Sequence, residues 1–177
     1  MPAQSRTRDQ GIMRPRYAFW LPAVLGLAAD LFSKHFVFAF LSQLPADAMH
    51  RQRYAIVEPW LVLQLERNTG GVFGVLRGRS YLFVALTLVA LGAVVWMLRK
   101  ARPDQVLLPV ALGLVAAGAV GNLVDRIWFG HVRDFIYVEV INWPAFNIAD
   151  TCICVAAGLL VIEILRAEAT EKPKPAS

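Results

Sequence analysis

Residues 80–98 read SYLFVALTLVALGAVVWML, an apolar stretch without a single charged side chain. The hydrocarbon core of a bilayer is about 30 Å thick, and a helix needs about 20 consecutive apolar residues to cross it. This stretch therefore predicts a membrane-spanning helix. Residues 105–124 form a second uncharged stretch, and residues 17–40 and 146–165 form two more that contain isolated charges. The chain is predicted to cross a membrane four times.

The composition of the chain supports a membrane protein. Of its 177 residues, 57% are hydrophobic and 18% are charged, whereas soluble domains average about 45–50% and about 25%. A chain of this length cannot bury so much apolar surface in its own core, which argues against a soluble enzyme. The net charge of +5 lies in short clusters between the apolar stretches, a placement typical of membrane topology rather than of nucleic-acid binding. We therefore expect an all-α polytopic membrane protein with four transmembrane helices.

The basic clusters also predict an orientation, because cytoplasmic segments of membrane proteins carry an excess of Lys and Arg. Such residues precede the first span, join the second to the third and follow the fourth: Arg6, Arg8, Arg14, Arg16, Arg99, Lys100, Arg102, Arg166, Lys172 and Lys174. We expect a basic cytoplasmic tail over residues 1–16, a disordered cytoplasmic tail over residues 167–177, and extracytoplasmic loops over residues 41–79 and 125–145.

Both predicted outer loops contain strand-like sequence. Residues 60–67 alternate partly between apolar and polar side chains, residues 68–71 (NTGG) are typical of a turn, and residues 72–76 form a second strand-like run. The later part of the loop over residues 125–145 is rich in β-branched and aromatic residues. These patterns predict a small β-rich region on the outer membrane surface.

Charged side chains inside the predicted spans need a partner or a function, because each costs about 2.5–3.5 kcal/mol on insertion scales. Asp30 and Lys34 are four residues apart on one face of the first span, where they can neutralise each other. The same pair can also support a site that other segments build.

The third span combines small residues with a polar end. Small residues recur every four positions, at Gly113, Ala117 and Gly121, and such a ridge lets neighbouring helices approach closely. Asn122, Asp125 and Arg126 then share one face. A salt bridge between Asp125 and Arg126 at the end of the helix explains two of them, whereas Asn122 lies deeper and needs another partner.

Two further carboxylates lie close to predicted membrane boundaries. Asp150 shares a helical face with Asn147, which can cap the fourth span, and the nearest basic residue on that helix is Arg166. Asp134 lies in the second outer loop. If Asp134 and Asp150 meet, they cannot both ionise and will share a proton, as in aspartic proteases. Asp125 is an equally acidic competitor, but we expect Arg126 to hold it ionised.

Other functions make different demands on these residues. A metal site built from His131, Asp125, Asp134 and Asp150 is disfavoured because the sequence has no His-Glu-x-x-His motif and no Cys/His ligand spacing. A lipid-head-group transferase would need an Asp-Gly-x-x-Ala-Arg motif, which is absent. A non-catalytic channel or assembly factor would use the polar residues to line a pore or a helix interface, and it would tolerate Asn at the aspartates.

Five motifs, in order along residues 17–166, make the chain similar to the lipoprotein signal peptidase (signal peptidase II) family of the bacterial cytoplasmic membrane. The motifs are Asp30-Leu-Phe-Ser-Lys34, Asn68-Thr-Gly-Gly-Val-Phe73, Gly121-Asn-Leu-Val-Asp125-Arg126, Val132-Arg-Asp134-Phe135 and Phe146-Asn-Ile-Ala-Asp150. The resemblance implies an aspartyl endopeptidase that removes signal peptides from prolipoproteins, cleaving N-terminal to the diacylglyceryl-modified cysteine. It implies no cofactor and no metal.

The resemblance also implies roles for individual residues. Asp134 and Asp150 would be catalytic, and Asp30, Lys34 and Asp125 would support the site. The residues that line it and bind substrate would be Asn68, Gly70, Asn122, Arg126 and Asn147. The expected partners are diacylglyceryl-modified prolipoproteins and membrane lipids, the protein would be a monomer in the inner membrane, and its active site would face the extracytoplasmic side.

Three positions depart from the usual pattern of this family. Gly71 replaces a common Ala, Leu31 replaces a frequent Gln, and Arg133 replaces a common apolar residue beside Asp134. An inward-pointing Arg133 would lower the pKa of Asp134, so we expect its side chain to point to solvent or lipid headgroups.

Overall fold

The computed structural model describes residues 6–71, 78–102 and 104–171. Within them, four helices are long and apolar enough to cross a membrane. The helices are α1 (Arg6–Leu41), α2 (Ser80–Lys100), α3 (Leu107–Phe129) and α4 (Ile148–Glu171), and the strands are β1 (Arg53–Val57), β2 (Leu61–Asn68), β3 (Val132–Val138) and β4 (Trp143–Phe146). A single 3-10 turn, Glu139–Ile141, joins β3 to β4. The predicted four-helix membrane fold with a small β region is confirmed.

Several predicted boundaries differ from the observed ones. Helix α3 continues to Phe129, so Asp125 and Arg126 lie in the helix rather than in a loop. Helix α4 runs to Glu171, so residues 167–171 are helical rather than part of a disordered tail. Basic residues 6–16 belong to α1. The strand predicted at residues 72–76 and the tail beyond residue 171 lie outside the described residues.

Helix α3 is the centre of the bundle because its small residues let the other helices come close. It packs against α1, α2 and α4. A methyl group added at Gly113 would meet the backbone oxygen of Phe19 in α1, and one added at Gly118 would meet the backbone oxygen of Ala149 in α4. Half of the residues in the apolar 18-residue stretch of α3 are buried. In the corresponding stretch of α2, at the periphery of the bundle, only 6% are buried. The predicted ridge of small residues is therefore a helix-packing surface.

Local sequence signals set the helix ends that lead to the site. Gly130 ends α3 in the left-handed conformation, with φ of 74°, and its N–H donates to the carbonyl of Arg126 at 3.1 Å. Asn147 caps α4: its Oδ1 accepts from the backbone N–H of Asp150 at 3.0 Å, while Asp150 Oδ2 accepts from the N–H of Asn147 at 3.2 Å. This reciprocal arrangement is a capping box.

The four strands form one antiparallel sheet in the order β1-β2-β3-β4. Strands β2 and β3 come from different loops, and their pairing places Glu66 opposite Asp134 and Asn68 opposite Val132. The sheet packs on α1 and α3 through β2 and β3. It therefore covers the end of the bundle where α1 and α3 finish and α4 begins.

Candidate active site

A cavity of about 900 Å³ lies between the sheet and the helix bundle. Asp134 and Asp150 both line it, together with Asn68, Asn122 and Arg126. Apolar side chains of α2, β3, β4 and α4 contribute to the wall: Phe83, Val132, Phe146 and Ile153. A mostly apolar cavity with a few converging polar groups is typical of a ligand-binding site.

Asp134 is held by neutral amides rather than by a cation. It lies on β3 and is 1% exposed. Its Oδ1 accepts from Asn147 Nδ2 at 2.6 Å, and its Oδ2 accepts from Asn68 Nδ2 at 2.9 Å. The pKa of the Asp134 carboxyl is raised from 3.8 to about 7, chiefly by burial and then by the nearby charge of Asp150. The two amide hydrogen bonds oppose this increase without reversing it.

Asp150 reaches the same cavity wall from the first turn of α4. Its Oδ1 accepts from Asn122 Nδ2 at 2.9 Å, in addition to the capping bond from the Asn147 backbone to Oδ2. Asn147 therefore contacts both aspartates, binding Asp134 through its side-chain amide and Asp150 through the capping box. Asp134 and Asp150, the two carboxylates predicted to lie close together, are therefore bound by the same residue. We call Asn68, Asn122, Asp134, Asn147 and Asp150 the amide cluster.

Asn122 has the buried partners that its position in the span requires. Its Oδ1 accepts from Lys34 Nζ at 2.9 Å and from Asn147 Nδ2 at 3.1 Å, while its Nδ2 donates to Asp150. Asn122 thus joins the amide cluster to a second set of polar side chains beneath it.

That second set, which we call the ion cluster, consists of Asp30, Lys34, Asp125 and Arg133. Lys34 Nζ lies 2.8 Å from Asp30 Oδ2 and 3.3 Å from Asp125 Oδ2, and all three side chains are fully buried. Arg133 Nη2 lies 2.7 Å from Asp125 Oδ1. Asp30 also accepts the backbone N–H of Ala149 at 2.8 Å, which ties α1 to α4. The predicted Asp30–Lys34 pair is present.

Two expectations about charge pairing are wrong. Asp125 pairs with Lys34 and Arg133, not with Arg126. Arg133 does not point to solvent or headgroups, because consecutive residues on a strand face opposite sides. With Asp134 facing the cavity, Arg133 faces α3 and its side chain is only 13% exposed.

Arg126 lines the cavity instead. Its guanidinium donates to the carbonyls of Asn122 and Gly70, both at 3.4 Å, and lies 4.7 Å from the centre of the Phe83 ring. Gly70 is placed by Asn68, whose Oδ1 accepts the Gly70 N–H at 3.0 Å. Each residue that the sequence assigned to the site lining is therefore in or beside the cavity.

Two further residues of the wall could not be predicted from the sequence. Glu66 lines the cavity because it lies opposite Asp134 in the sheet, and Phe83 comes from α2. Neither stands in a motif, and only the strand register and helix packing show their position. Within residues 6–71, 78–102 and 104–171, no three His, Cys, Asp or Glu side chains converge in a way that could hold a metal ion.

Comparison with known proteins shows the family of this chain. Residues 22–166 match the family described as signal peptidase (SPase) II. A lipoprotein signal peptidase of Geobacter sulfurreducens is 36% identical over 167 residues, covering 91% of this chain and 100% of the relative. One of Bacillus subtilis is 34% identical over 149 residues, covering 83% and 92%.

Solved structures show the same fold. A bacterial membrane enzyme determined in meso at 2.3 Å superposes with a TM-score of 0.75 at 29% identity, covering 89% of this chain and 93% of that one. A second, determined at 1.9 Å, gives a TM-score of 0.67 at 28% identity, covering 82% and 90%. With the family match extending over most of the chain, this protein belongs to the signal peptidase II family.

Proposed function

We propose that this protein is an aspartyl endopeptidase that removes signal peptides from prolipoproteins, cutting N-terminal to the diacylglyceryl-modified cysteine. Membership of the signal peptidase II family supports the reaction. The observation that carries the aspartyl mechanism is the pair Asp134 and Asp150, which share one cavity wall and are both bound by Asn147. Neither forms an ion pair within the part of the chain that the structure describes.

The two carboxyls divide the proton chemistry between them. Asp134, with a pKa raised to about 7, keeps a proton near neutral pH and donates it to the scissile carbonyl oxygen. Asp150 accepts the proton of the attacking water as the new C–O bond forms. When the tetrahedral intermediate collapses, the C–N bond breaks, the leaving amine takes that proton from Asp150, and a hydroxyl group of the intermediate returns a proton to Asp134 as the C=O bond re-forms. Both aspartates are then back in their starting states. No covalent enzyme intermediate is needed.

Arg126 and the apolar wall fit the two halves of such a substrate. Arg126 contacts only carbonyl groups in its described hydrogen bonds, so its charge is available to stabilise an oxyanion in the cavity. Phe83, Phe146 and Ile153 give the wall an apolar surface beside the helices. The diacylglyceryl chains would stay in the bilayer while the peptide enters the cavity.

The proposed location follows the positive-inside rule. We place the protein as a monomer in the inner membrane, with both termini in the cytoplasm and the cavity at the extracytoplasmic face. Prolipoproteins carrying a diacylglyceryl group and the surrounding membrane lipids are its proposed partners. The reaction needs no cofactor.

Replacing either aspartate by Asn tests the mechanism. In membranes that contain a diacylglyceryl-modified prolipoprotein, we expect Asp134→Asn and Asp150→Asn each to reduce cleavage at least about 1,000-fold, because the proton transfer is lost. The matched control is Asp104→Asn, since Asp104 is exposed and forms only a surface ion pair with Arg102. Normal cleavage by either active-site variant would refute the aspartyl mechanism and favour a non-catalytic role for the polar residues.

A further inference from the structure

We infer that Arg133 is a positioning residue for the proposed reaction: it fixes strand β3, and with it Asp134, to helix α3 through Asp125. The inference rests on the proposed function, because it concerns where Asp134 is held. Sequence patterns gave no sign of this role, since Arg133 replaces an apolar residue and was expected to face outward.

Three donors of Arg133 converge on one carboxylate. Its Nε and Nη2 donate to Asp125 Oδ1 at 3.0 and 2.7 Å, and its backbone N–H donates to Asp125 Oδ2 at 2.9 Å. The backbone bond fixes the peptide unit between Val132 and Arg133, one residue before Asp134. The side-chain bonds fix the orientation of Asp125, since charge-assisted bonds from a guanidinium are strong and directional.

The guanidinium also lies near two aromatic rings on the face of β3 opposite the cavity. It lies 4.5 Å from the centre of the Phe129 ring in α3 and 6.0 Å from that of Phe38 in α1. Arg133 therefore joins β3 to both helices, and Asp134 projects from the other face of the same strand.

Arg133 also balances the charge of the ion cluster. The cluster holds two carboxylates, Asp30 and Asp125, and two cations, Lys34 and Arg133. Lys34 is closer to Asp30 and to Asn122 than to Asp125. Without Arg133, a single cation would serve two buried carboxylates, and Lys34 would be drawn toward Asp125. That movement would loosen Asn122, which holds Asp150.

The test compares two arginines that form ion pairs of the same length. With the full chain in detergent and a diacylglyceryl-modified prolipoprotein peptide as substrate, we expect Arg133→Met to lower kcat about tenfold and leave KM nearly unchanged, because small displacements of reacting groups reduce rates steeply. Arg53→Met is the control: Arg53 Nη2 lies 2.7 Å from Glu139 Oε2 at the far side of the sheet. It should lower the melting temperature without changing kcat. Arg133→Lys should give an intermediate kcat.

A double variant tests whether Arg133 acts through Asp125. Asp125→Asn weakens the same contact from the other side and should also lower kcat. Asp125→Asn combined with Arg133→Met should lose no more kcat than the larger single loss, because the contact is already broken. If Arg133→Met does not fold, the Arg133→Lys and double variants decide the question by the same comparison.

Three results would overturn the inference: a kcat for Arg133→Met equal to that of Arg53→Met, a KM effect without a kcat effect, or losses that simply add in the double variant. The proposed function is tested separately. If Asp134→Asn still cleaves, the proposed function is wrong; if Asp134→Asn is inactive and Arg133→Met is unimpaired, only the role of Arg133 is wrong.

Discussion

The ion cluster and the amide cluster are neighbours that share the contact between Lys34 and Asn122, yet they hold their carboxylates in opposite ways. Asp30 and Asp125 face cations at 2.7–3.3 Å. Asp134 and Asp150 face the amide groups of asparagines. A cation compensates the charge of a carboxylate, whereas an amide orients the carboxylate without supplying an opposite charge. Under the proposed mechanism, the comparison teaches that pairing with a cation, rather than acidity or depth, separates the supporting aspartates from the reacting ones.

The largest difference between the clusters is expected when one aspartate of each is replaced by asparagine. We expect Asp125→Asn to lower the free energy of unfolding by about 3–5 kcal/mol, because it leaves Arg133 buried without its counter-ion. Asp134→Asn should leave that free energy unchanged or raise it, because it removes a carboxyl that burial disfavours. Thermal unfolding in detergent measures both, and equal destabilisation would contradict the distinction.

Asn122 joins the two clusters, so removing its side chain should disturb the contacts of both. Asn122→Ala deletes one donor to Asp150 and the acceptor used by Lys34 and Asn147, and we expect kcat to fall about 100-fold as the reacting carboxyls lose their alignment. The control is Gln105→Ala, since Gln105 Nε2 donates to Glu163 of α4 at 3.3 Å, far from the cavity. A variant at Asn122 with the activity of this control would show that the clusters are independent.

The helices pack so closely beside the ion cluster that a methyl group added at Gly121 should destabilise the protein. A Cβ at Gly121 would meet the carboxylate of Asp30, whereas one at Gly92 in α2 would meet no atom within 4 Å. We therefore expect Gly121→Ala to destabilise the protein by about 1–3 kcal/mol and Gly92→Ala to leave stability the same or slightly higher. A comparison of melting temperatures checks this, and equal values would argue against a tightly packed cluster.

A dependence of stability on pH is expected from Asp134 of the amide cluster. The raised pKa of Asp134, about 7 against 3.8, means that the folded protein holds a proton that the unfolded chain has released between those pH values. Stability should therefore fall as pH rises through this window, by up to about 1.4 kcal/mol per unit. Cleavage should decline above about pH 7, as the acid loses its proton.

Asp134→Asn is the control for this titration. It should flatten the dependence of the melting temperature between about pH 4 and 7, because the group that titrates is gone. A profile that keeps its slope in this variant would assign the titration to another group.

Much of the fold could be predicted from the chain because it depends on local or periodic signals. The four apolar stretches, the cap at Asn147 and the ion pair four residues apart at Asp30 and Lys34 need only helix geometry. Strand β1 was missed because residues 53–57 carry no clear alternation and are ordered by pairing with β2. The ends of α3 and α4 were misplaced by several residues, since hydropathy does not show how far a helix continues beyond an apolar stretch.

The candidate site could be predicted only in part. Its residues were identified from motifs, but their partners were not: Asp125 was assigned to its neighbour Arg126, and Arg133 was placed outside. Adjacent side chains on a helix point in different directions, and a strand turns alternate side chains to opposite faces. Which face of β3 meets α3 depends on the register with β2, which local sequence does not contain.

By itself, the sequence determined that this chain crosses a membrane, because apolar length and charge placement are properties of each segment alone. It also supplied the aspartates, asparagines and small residues that the site uses. The tertiary structure alone decided which carboxylate meets a cation and which meets an amide. Those contacts join residues as distant in the chain as Lys34 and Asp125 or Asn68 and Asp134, and they form only when the helices pack closely and the sheet closes over their ends.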